Sequence, residues 1–367
     1  MLTSLRPEVL DLAAELNRRI RGGTLEEQRT FLTWKYFDNP YLPEPVMHVA
    51  LHDGRAVGMR GYYGTCWRVG GTGRTHVFPA ASDSAILDEY RETGLYAELN
   101  SAALEDVARR GFTHVVNLSA RPEVALTSML TFGWKGVVPQ DVMTIGASTE
   151  PPSRALVRRA VPSKLLPLAR RLVRSSRRSS HAFSGTSGVV YRSPTTEVRA
   201  TISSAELADV ARRCSYDERL GLVRDERFIM WRFAKPFVAY RFLIADGDSG
   251  CGYLILCRRP NRIPVFILDW KADTVDIQRA LLAATLEGLR LPNLSIWSAT
   301  LTEPELTTLR AMGFVPRVPP SPLDRRRQAL LVRPTADPRD DALWEVDGLR
   351  LDAAETWSVG AVGSDAY

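Results

Sequence analysis

The stretch Ser84-Ala85-Ile86-Leu87-Asp88-Glu89-Tyr90-Arg91-Glu92-Thr93-Gly94-Leu95-Tyr96 passes from an apolar strand end through Arg91-x-x-Gly94 directly into a helix. A strand that feeds a helix N-terminus leaves several backbone N–H groups unpaired and pointing outward. The helix dipole adds positive potential there, and a glycine lets a pyrophosphate approach the backbone. The spacing reads as a candidate anion cradle in which Arg91 can meet a phosphate directly. A purely structural reading stands beside it, because a strand-to-helix turn often takes a glycine for conformational reasons alone.

Other chemistries are not signalled. The four cysteines, Cys66, Cys214, Cys251 and Cys257, form no C-x-x-C, and the five histidines are scattered. Neither a disulfide framework nor a zinc site is expected, and no histidine is expected to be catalytic. A composition of 45% hydrophobic and 25% charged residues excludes a chain dominated by disorder, and 367 residues suggest two domains. No window approaches the roughly 18 to 20 apolar residues of a membrane helix, and residues 1–21 carry Glu8, Asp11 and Glu15 where a signal peptide is apolar. The expected compartment is the cytoplasm. The net charge of +6 belongs to one stretch: between Pro151 and Thr196 stand ten basic residues and no acid, and the remainder holds 38 basic against 42 acidic residues.

Repeated elements surround the cradle. The first helix has Val9, Leu12, Ala13, Leu16 and Ile20 on its apolar stripe, Pro7 near its start and Gly22-Gly23 as its stop. Trp34-Lys35-Tyr36 follows, then Asn39-Pro40, an apolar run at 47–51, a hairpin signal at Asp53-Gly54 and a second apolar run at 56–63. Much later the chain reads Trp231-Arg232-Phe233, Pro236, an apolar run at 238–245, Asp246-Gly247 and another at 252–257. Downstream, a helix with Tyr96, Leu99, Ala103 and Val107 on one face leads to a strand at 114–118 and a helix ending in Gly133-Trp134. Its counterpart carries Ile277, Leu281, Ala284 and Gly288, then a strand at 294–297 and a helix ending in Gly313-Phe314. Such a long-period repeat indicates duplicated domains, each large enough to bury its own core. Trp34, Tyr36 and Trp231 are expected to pack in the core or between domains.

On Ile86, Arg91-x-x-Gly94 and the Gly133-Trp134 and Gly313-Phe314 helix ends, the sequence resembles the GNAT superfamily of acyl-CoA N-acyltransferases. The two Trp-x-aromatic…Pro signatures resemble a tandem-GNAT group whose second copy has usually lost its cofactor loop. The resemblance implies acyl transfer from a pantetheine thioester to an amine, the pantetheine lying between two splayed strands near residues 84–87 and 114–118. Pyrophosphate would sit on the amides of Glu92, Thr93, Gly94, Leu95 and Tyr96 beside Arg91, with Ile86 and Leu87 along the arm. Asn117 would bond the pantetheine amides, and a backbone N–H near Leu87 would polarise the thioester carbonyl. Asp83 is the candidate base, acting directly or through a water, although an aspartate there can equally cap a turn or bond backbone amides. The chain departs from the family at Tyr96, where a small residue is usual, and at Met129 and Leu309, where a tyrosine usually protonates the leaving thiolate. Tyr90 is the substitute acid candidate.

The expected fold is α/β, with two tandem GNAT-like domains, each a mixed β-sheet flanked by helices. Residues 1–150 form the domain with the cofactor loop, 151–196 a basic connector, 197–334 a degenerate copy and 335–367 a C-terminal tail, partly ordered at most. In the second copy the stretch matching the cradle holds Asp269, Asp273 and Asp276 and no glycine, so its carboxylates would repel a phosphate. The expected function is transfer of an acyl group, acetyl in the first instance, from coenzyme A to an amine of a small-molecule or sugar-like metabolite, without a metal. The alternatives are an aminoacyl-tRNA-dependent transferase resembling the Fem-type ligases and a non-catalytic binding module. Leu165, Leu168, Ala169 and Leu172 place an apolar face on the connector, with Arg170, Arg171, Arg174, Arg177 and Arg178 around it. Those arginines could track tRNA, but with no aromatics interleaved for base stacking the connector reads first as a solvated helix.

Overall fold

The repeated order of elements is realised as two mixed sheets. The computed structural model describes residues 1–146, 183, 187–214, 218–248, 250–258, 265–317 and 328–364. The first copy runs β1 (Leu2–Ser4), α1 (Pro7–Arg21), α2 (Leu25–Leu32), β2 (Val46–His52), β3 (Arg55–Val69), β4 (Thr75–Ile86), α3 (Leu95–Arg109), β5 (His114–Ala120), α4 (Pro122–Phe132), β6 (Lys135–Pro139) and β7 (Val142–Ile145). The second adds an edge strand β8 (Gly188–Arg192) and continues β9 (Glu197–Thr201), α5 (Ser204–Arg213), β10 (Leu220–Leu222), α6 (Glu226–Phe233), β11 (Ala239–Gly247), β12 (Gly250–Arg258), β13 (Val265–Ala272), α7 (Val275–Ala283), β14 (Leu294–Trp297), α8 (Glu303–Ala311), β15 (Val315–Pro316) and β16 (Ala329–Pro334). A small hairpin of β17 (Glu345–Val346) and β18 (Leu349–Arg350) precedes β19 (Trp357–Ser358).

Local chemistry sets the helix ends. Pro7 opens α1, and Gly22 at φ 85° closes it. Thr24 and Glu27 form a reciprocal capping box on α2, as Thr302 and Glu305 do on α8. The α1 stripe is turned from its expected position: Leu10, Ala13, Ala14 and Leu16 are buried and Ile20 is exposed. The buried Asn17 explains the turn, since its Nδ2 donates to Gln28 Oε1 of α2 at 2.8 Å and so faces the neighbouring helix.

The two sheets exchange their last strands. The first is ordered β1-β2-β3-β4-β5-β16-β6, the second β15-β7-β14-β13-β12-β11-β9-β8. Between β5 and β6 sits β16, antiparallel to both, from the far end of the chain; between β14 and β15 sits β7, from the first copy. Sheet membership therefore differs from the expected division at 150 and 334. A boundary read along the chain cannot register an exchange made in space.

A tryptophan pair fastens the halves together. Trp34 and Trp231 stack with centroids 5.1 Å apart and planes inclined by 8°. Trp34 Nε1 donates to the Trp231 carbonyl at 2.7 Å, and Trp231 Nε1 donates to the Trp34 carbonyl at 2.8 Å. The same two residues head the repeated sequence signature, so a local pseudo-twofold relates the copies at this point.

Two sequence expectations are corrected. The segment after 335 is ordered through residue 364: Trp344, Leu351, Trp357, Val359 and Val362 are buried in the cluster that also holds Trp34 and Trp231. Its Gly/Ser/Ala composition hid the tryptophans and valines that anchor it. Residues 188–192, expected in the connector, form β8 on β9; the arginine-bearing connector helix lies outside the described residues. No helix among the described residues is long and apolar enough to cross a membrane.

Because each sheet contains a strand from the other half, neither half should fold alone. A fragment of residues 1–150 lacks β16 and leaves β5 and β6 with unpaired edges, a state prone to aggregation. It is expected to be insoluble or to lack a cooperative melt, and co-expression with residues 183–367 should restore both. A soluble fragment 1–150 with a sharp thermal transition would contradict the exchange.

Candidate functional site

The parallel strands β4 and β5 pair at a single register, Ala80 with Val116. Beyond it, residues 81–86 and 117–120 make no ladder bonds to each other, and a slot opens between them. On its other side β4 remains paired to β3, but the register jumps: Met59 faces Ala85 and Gly61 faces Ser82, so Asp83 and Ser84 oppose the single Arg60. Asp83 takes φ 47°, and this bulge sends its side chain to the α1 and α2 face while Ser84 stays exposed.

Asp83 is thereby locked into a buried ion cluster. Lys35 Nζ lies 2.5 Å from Oδ2, the Tyr36 hydroxyl donates to Oδ2 at 2.6 Å, and Arg21 Nη2 lies 2.5 Å from Oδ1. The Lys35 ammonium also donates to Ser82 Oγ and sits 5.1 Å from the Tyr63 ring centroid and 5.3 Å from that of Phe31. Burial alone would raise the proton affinity of Asp83. The charges of Lys35 and Arg21, with hydrogen bonds from Lys35 and Tyr36, outweigh it and hold the carboxyl well below the usual carboxylate range. A side chain with no exposed surface and a depressed pKa is the opposite of what a general base requires. The sequence expectation for Asp83 gives way to an anchoring role. Arg21, Lys35 and Tyr36 went unrecognised as site residues; the signal was a lysine set between aromatic residues in an apolar stretch.

Tyr90 lies elsewhere. Its hydroxyl bonds His52 Nδ1 at the tip of the β2–β3 hairpin, and its ring packs with Ala50, Val57 and Leu99. It shares no hydrogen-bond partner with Asp83, so the structure does not bring the two catalytic candidates together. The Leu87 N–H is also committed, donating to the Val57 carbonyl at 3.0 Å, and Ile86 pairs with Gly58. Leu87 therefore does not offer the free amide expected there. Asn117 is buried at the slot on β5, its Oδ1 accepting from the Ser119 N–H at 3.2 Å.

The cradle itself is open. Gly94 caps α3 in the left-handed region, at φ 81°, with no side-chain cap, so the first-turn amides of Leu95 and Tyr96 have no partner within the helix. A methyl group added to Gly94 would meet nothing within 4 Å. Arg91, Glu92 and Thr93 are exposed, and Arg91 rests on Asp88 at 2.7 Å in a solvent-exposed pair that a phosphate can displace at little cost. Tyr96 turns inward, its ring edge-on to Phe132 of α4 at 5.7 Å and its hydroxyl buried. It crowds the space beneath the helix and leaves the phosphate side clear.

The corresponding slot of the second sheet is closed. There β13 and β14 pair from Val265–Leu294 to Ile267–Ile296 and then separate. Residues 358–361 fill the gap, leaving a cavity of about 20 Å³ bounded by Leu268, Lys271, Trp297 and Thr300. The Val359 N–H donates to Thr300 Oγ1 at 2.9 Å, and a side chain at Gly360 would come within 2.9 Å of the Leu268 carbonyl. Helix α7 is capped by Thr274, which accepts from the Ile277 N–H. The expected phosphate repulsion has a different basis. Asp269 is buried in an ion pair with Arg224 and accepts from the Tyr253 hydroxyl, and Asp273 accepts from the Cys251 N–H.

No family model and no curated protein matches the sequence. Solved structures do match the fold. The chain is similar to a GCN5-related N-acetyltransferase from Anabaena variabilis (TM-score 0.59, 10% identity, 91% of this chain and 72% of that one). It is similar to a probable N-acyltransferase from Enterococcus faecalis (0.59, 12% identity, 91% and 72%). A tandem GNAT protein from the clavulanic acid biosynthesis pathway matches over 92% of this chain and 99% of its own at TM-score 0.52 and 10% identity. Two mixed sheets in tandem are thus the architecture of this chain and of that protein.

The Asp83 cluster makes a prediction about stability. Asp83→Asn strands the buried Lys35 charge and is expected to cost about 3–5 kcal/mol in urea unfolding at neutral pH. Because the native carboxyl pKa is depressed, its contribution is complete above the unfolded value near about 4 and is lost as pH falls toward the native value. The gap between native chain and variant should therefore narrow from about pH 4 downward; a gap unchanged across that range would count against the ion pair.

Proposed function

We propose that this chain, which has the tandem GNAT fold, is an N-acyltransferase that takes its acyl group from a coenzyme A thioester in the first sheet and delivers it to an amine on a small molecule. The observation that carries this is the asymmetry between two equivalent slots. One is open and leads to an uncapped helix N-terminus at Gly94; the other is filled by residues 358–361 and leads to a helix capped by Thr274. A pyrophosphate needs an accessible helix N-terminus, and α3 presents one behind a glycine with no side-chain cap, whereas on α7 the Thr274 side chain covers the first turn and accepts from the Ile277 N–H. The second copy then serves as scaffold, through the exchanged strands and the tryptophan pair.

In the proposed reaction the amine nitrogen attacks the thioester carbonyl carbon. The C–N bond forms, the C–S bond breaks, the sulfur leaves as thiolate and the surplus amine proton passes to solvent. A thiolate with a pKa of about 8.5 leaves near neutral pH without a strong acid, which suits a chain with Met129 where the resemblance leads one to expect tyrosine. The chain's own contribution is placement: the slot orients the thioester, the Asp83–Lys35 cluster holds the bulge rigid, and Ser84 marks the face open to the acceptor.

Titration calorimetry with coenzyme A and acetyl-CoA, paired with thermal shift, tests the reading. Both ligands should stabilise the native chain in proportion to occupancy, and an Arg91→Glu, Gly94→Trp variant should lose the effect. Loss of stabilisation in the variant supports the first-sheet cradle. Absence of any stabilisation at saturating ligand discards the acyl-CoA donor. Steeply salt-dependent binding of aminoacyl-tRNA would then identify the alternative donor and direct attention to the basic connector.

A further inference from the structure

On the α3 side of the slot, Arg60, Tyr62 and Tyr96 lie within electrostatic reach of one another, and Asn100 stands one turn further along α3. Arg60 and Tyr62 lie two residues apart on β3 and share a face, and Tyr96 and Asn100 lie one turn apart on α3 above them. Arg60 is 2% exposed, Tyr62 0% and Asn100 1%. Arg60 Nε and Nη2, the Tyr62 and Tyr96 hydroxyls and Asn100 Nδ2 are buried and find no partner at ordinary hydrogen-bond distance, while Arg60 and Tyr62 lie close enough to perturb each other electrostatically. The Arg60 guanidinium lies 5.3 Å from the Tyr62 ring centroid and has no ion-pair partner among the described residues.

This is an unusual state for a buried cation. An arginine cannot shed its proton, and a buried charge with no counter-charge is costly. Burial also pushes the Tyr62 phenol upward, so it stays protonated as a donor. Each of the unmet groups can donate, and the free atoms of Arg60 are Nε and Nη2, the parallel pair that grips a carboxylate with both oxygens. One unit of buried positive charge balances one carboxylate. The position is equally informative: the register sets Arg60 against the Asp83–Ser84 bulge at the slot, and Ser84 is exposed beside it.

We infer that Arg60, with Tyr62, Tyr96 and Asn100, is a binding site for a carboxylate carried into the slot by one of the two substrates. The inference deepens the acyltransferase reading and rests on it. The carboxylate belongs either to the donor, as a dicarboxylic monoacyl thioester, or to the acceptor, as an amino acid. Tyr96, which stands where a small residue is usual in the resembled loop, is then a specificity residue whose hydroxyl completes the site.

Two arms distinguish the sources. In the donor arm, Kd is measured for succinyl-CoA and acetyl-CoA on the full chain, on Arg60→Met and on Tyr96→Phe. In the acceptor arm, KM is measured with acetyl-CoA for amino acids and for the matching amines that lack the carboxylate. In one arm the native chain should favour the carboxylate-bearing member by roughly tenfold or more, since hydrogen bonds to charged groups are strong. Arg60→Met should abolish that preference without changing binding of coenzyme A itself, and Tyr96→Phe should reduce it in part. Tyr96→Phe keeps the ring against Phe132 and decides the matter if Arg60→Met fails to fold. Preferences unaffected by the variants in both arms overturn the inference. If coenzyme A binds to none of the chains, the acyltransferase reading fails separately. Thermal shift with free succinate then decides: stabilisation of the native chain beyond that of the variants retains the carboxylate site, and equal shifts overturn it.

Discussion

Two indoles, each donating to the backbone carbonyl of the other, hold this molecule at its pseudo-twofold. A hydrogen bond buried in an apolar cluster is expensive to leave unmade, so the two N–H groups fix both position and orientation of the copies. Everything else follows the same geometry. With the halves joined there, the exchanged strands β7 and β16 can cross, and the chain end can pass back between the sheets to reach the second slot.

The residue after each of these tryptophans shows how the copies diverged. Lys35 and Arg232 occupy matching positions, and both are buried cations. Lys35 turns to the bulge and neutralises Asp83. Arg232 turns to the strap formed by residues 358–364, donating from Nε to the Val362 carbonyl at 2.8 Å and from Nη2 to the Ser364 carbonyl at 3.1 Å. Each charge is satisfied, but one by a carboxylate at an open slot and the other by the segment that ends beyond a closed one. The Tyr63 hydroxyl, beside Lys35, also donates to the Gly363 carbonyl at 2.8 Å, so the strap is read by both copies at once.

How far this could be seen in the sequence depends on whether the relevant contact is local. The hairpins, the helix ending at Gly133 and the strand at 294–297 follow from nearby turn residues and periodicity, and they stand where expected. The duplication was legible because Trp34 and Trp231 repeat with their neighbours. The strand exchange was not, because β7 and β16 have the same alternation whichever sheet receives them. The cradle at Gly94 was legible as a local turn. The Asp83 cluster was not: Arg21, Lys35 and Asp83 are far apart in sequence, and a bulge at φ 47° leaves no mark in residue types when an aspartate fills it. Arg60 escaped for the same reason, being the middle one of three arginines in a strand otherwise patterned for a core.

The filled slot explains why duplication need not double a site. Val359, Ala361 and Val362 are almost wholly buried, and at roughly 1.5–3 kcal/mol for each large apolar side chain the strap is held by more than its hydrogen bonds. A ligand for the second slot would have to displace that burial together with the Thr300 and Arg232 bonds to the strap. The first turn of α7 offers less in compensation, because the Thr274 side chain already accepts the Ile277 N–H. An uncapped helix start in one copy and a slot filled by residues 358–361 in the other are therefore compatible within one stable fold. The second copy spends its slot on holding the chain end, and that chain end helps bind the copies together around the slot that stays open.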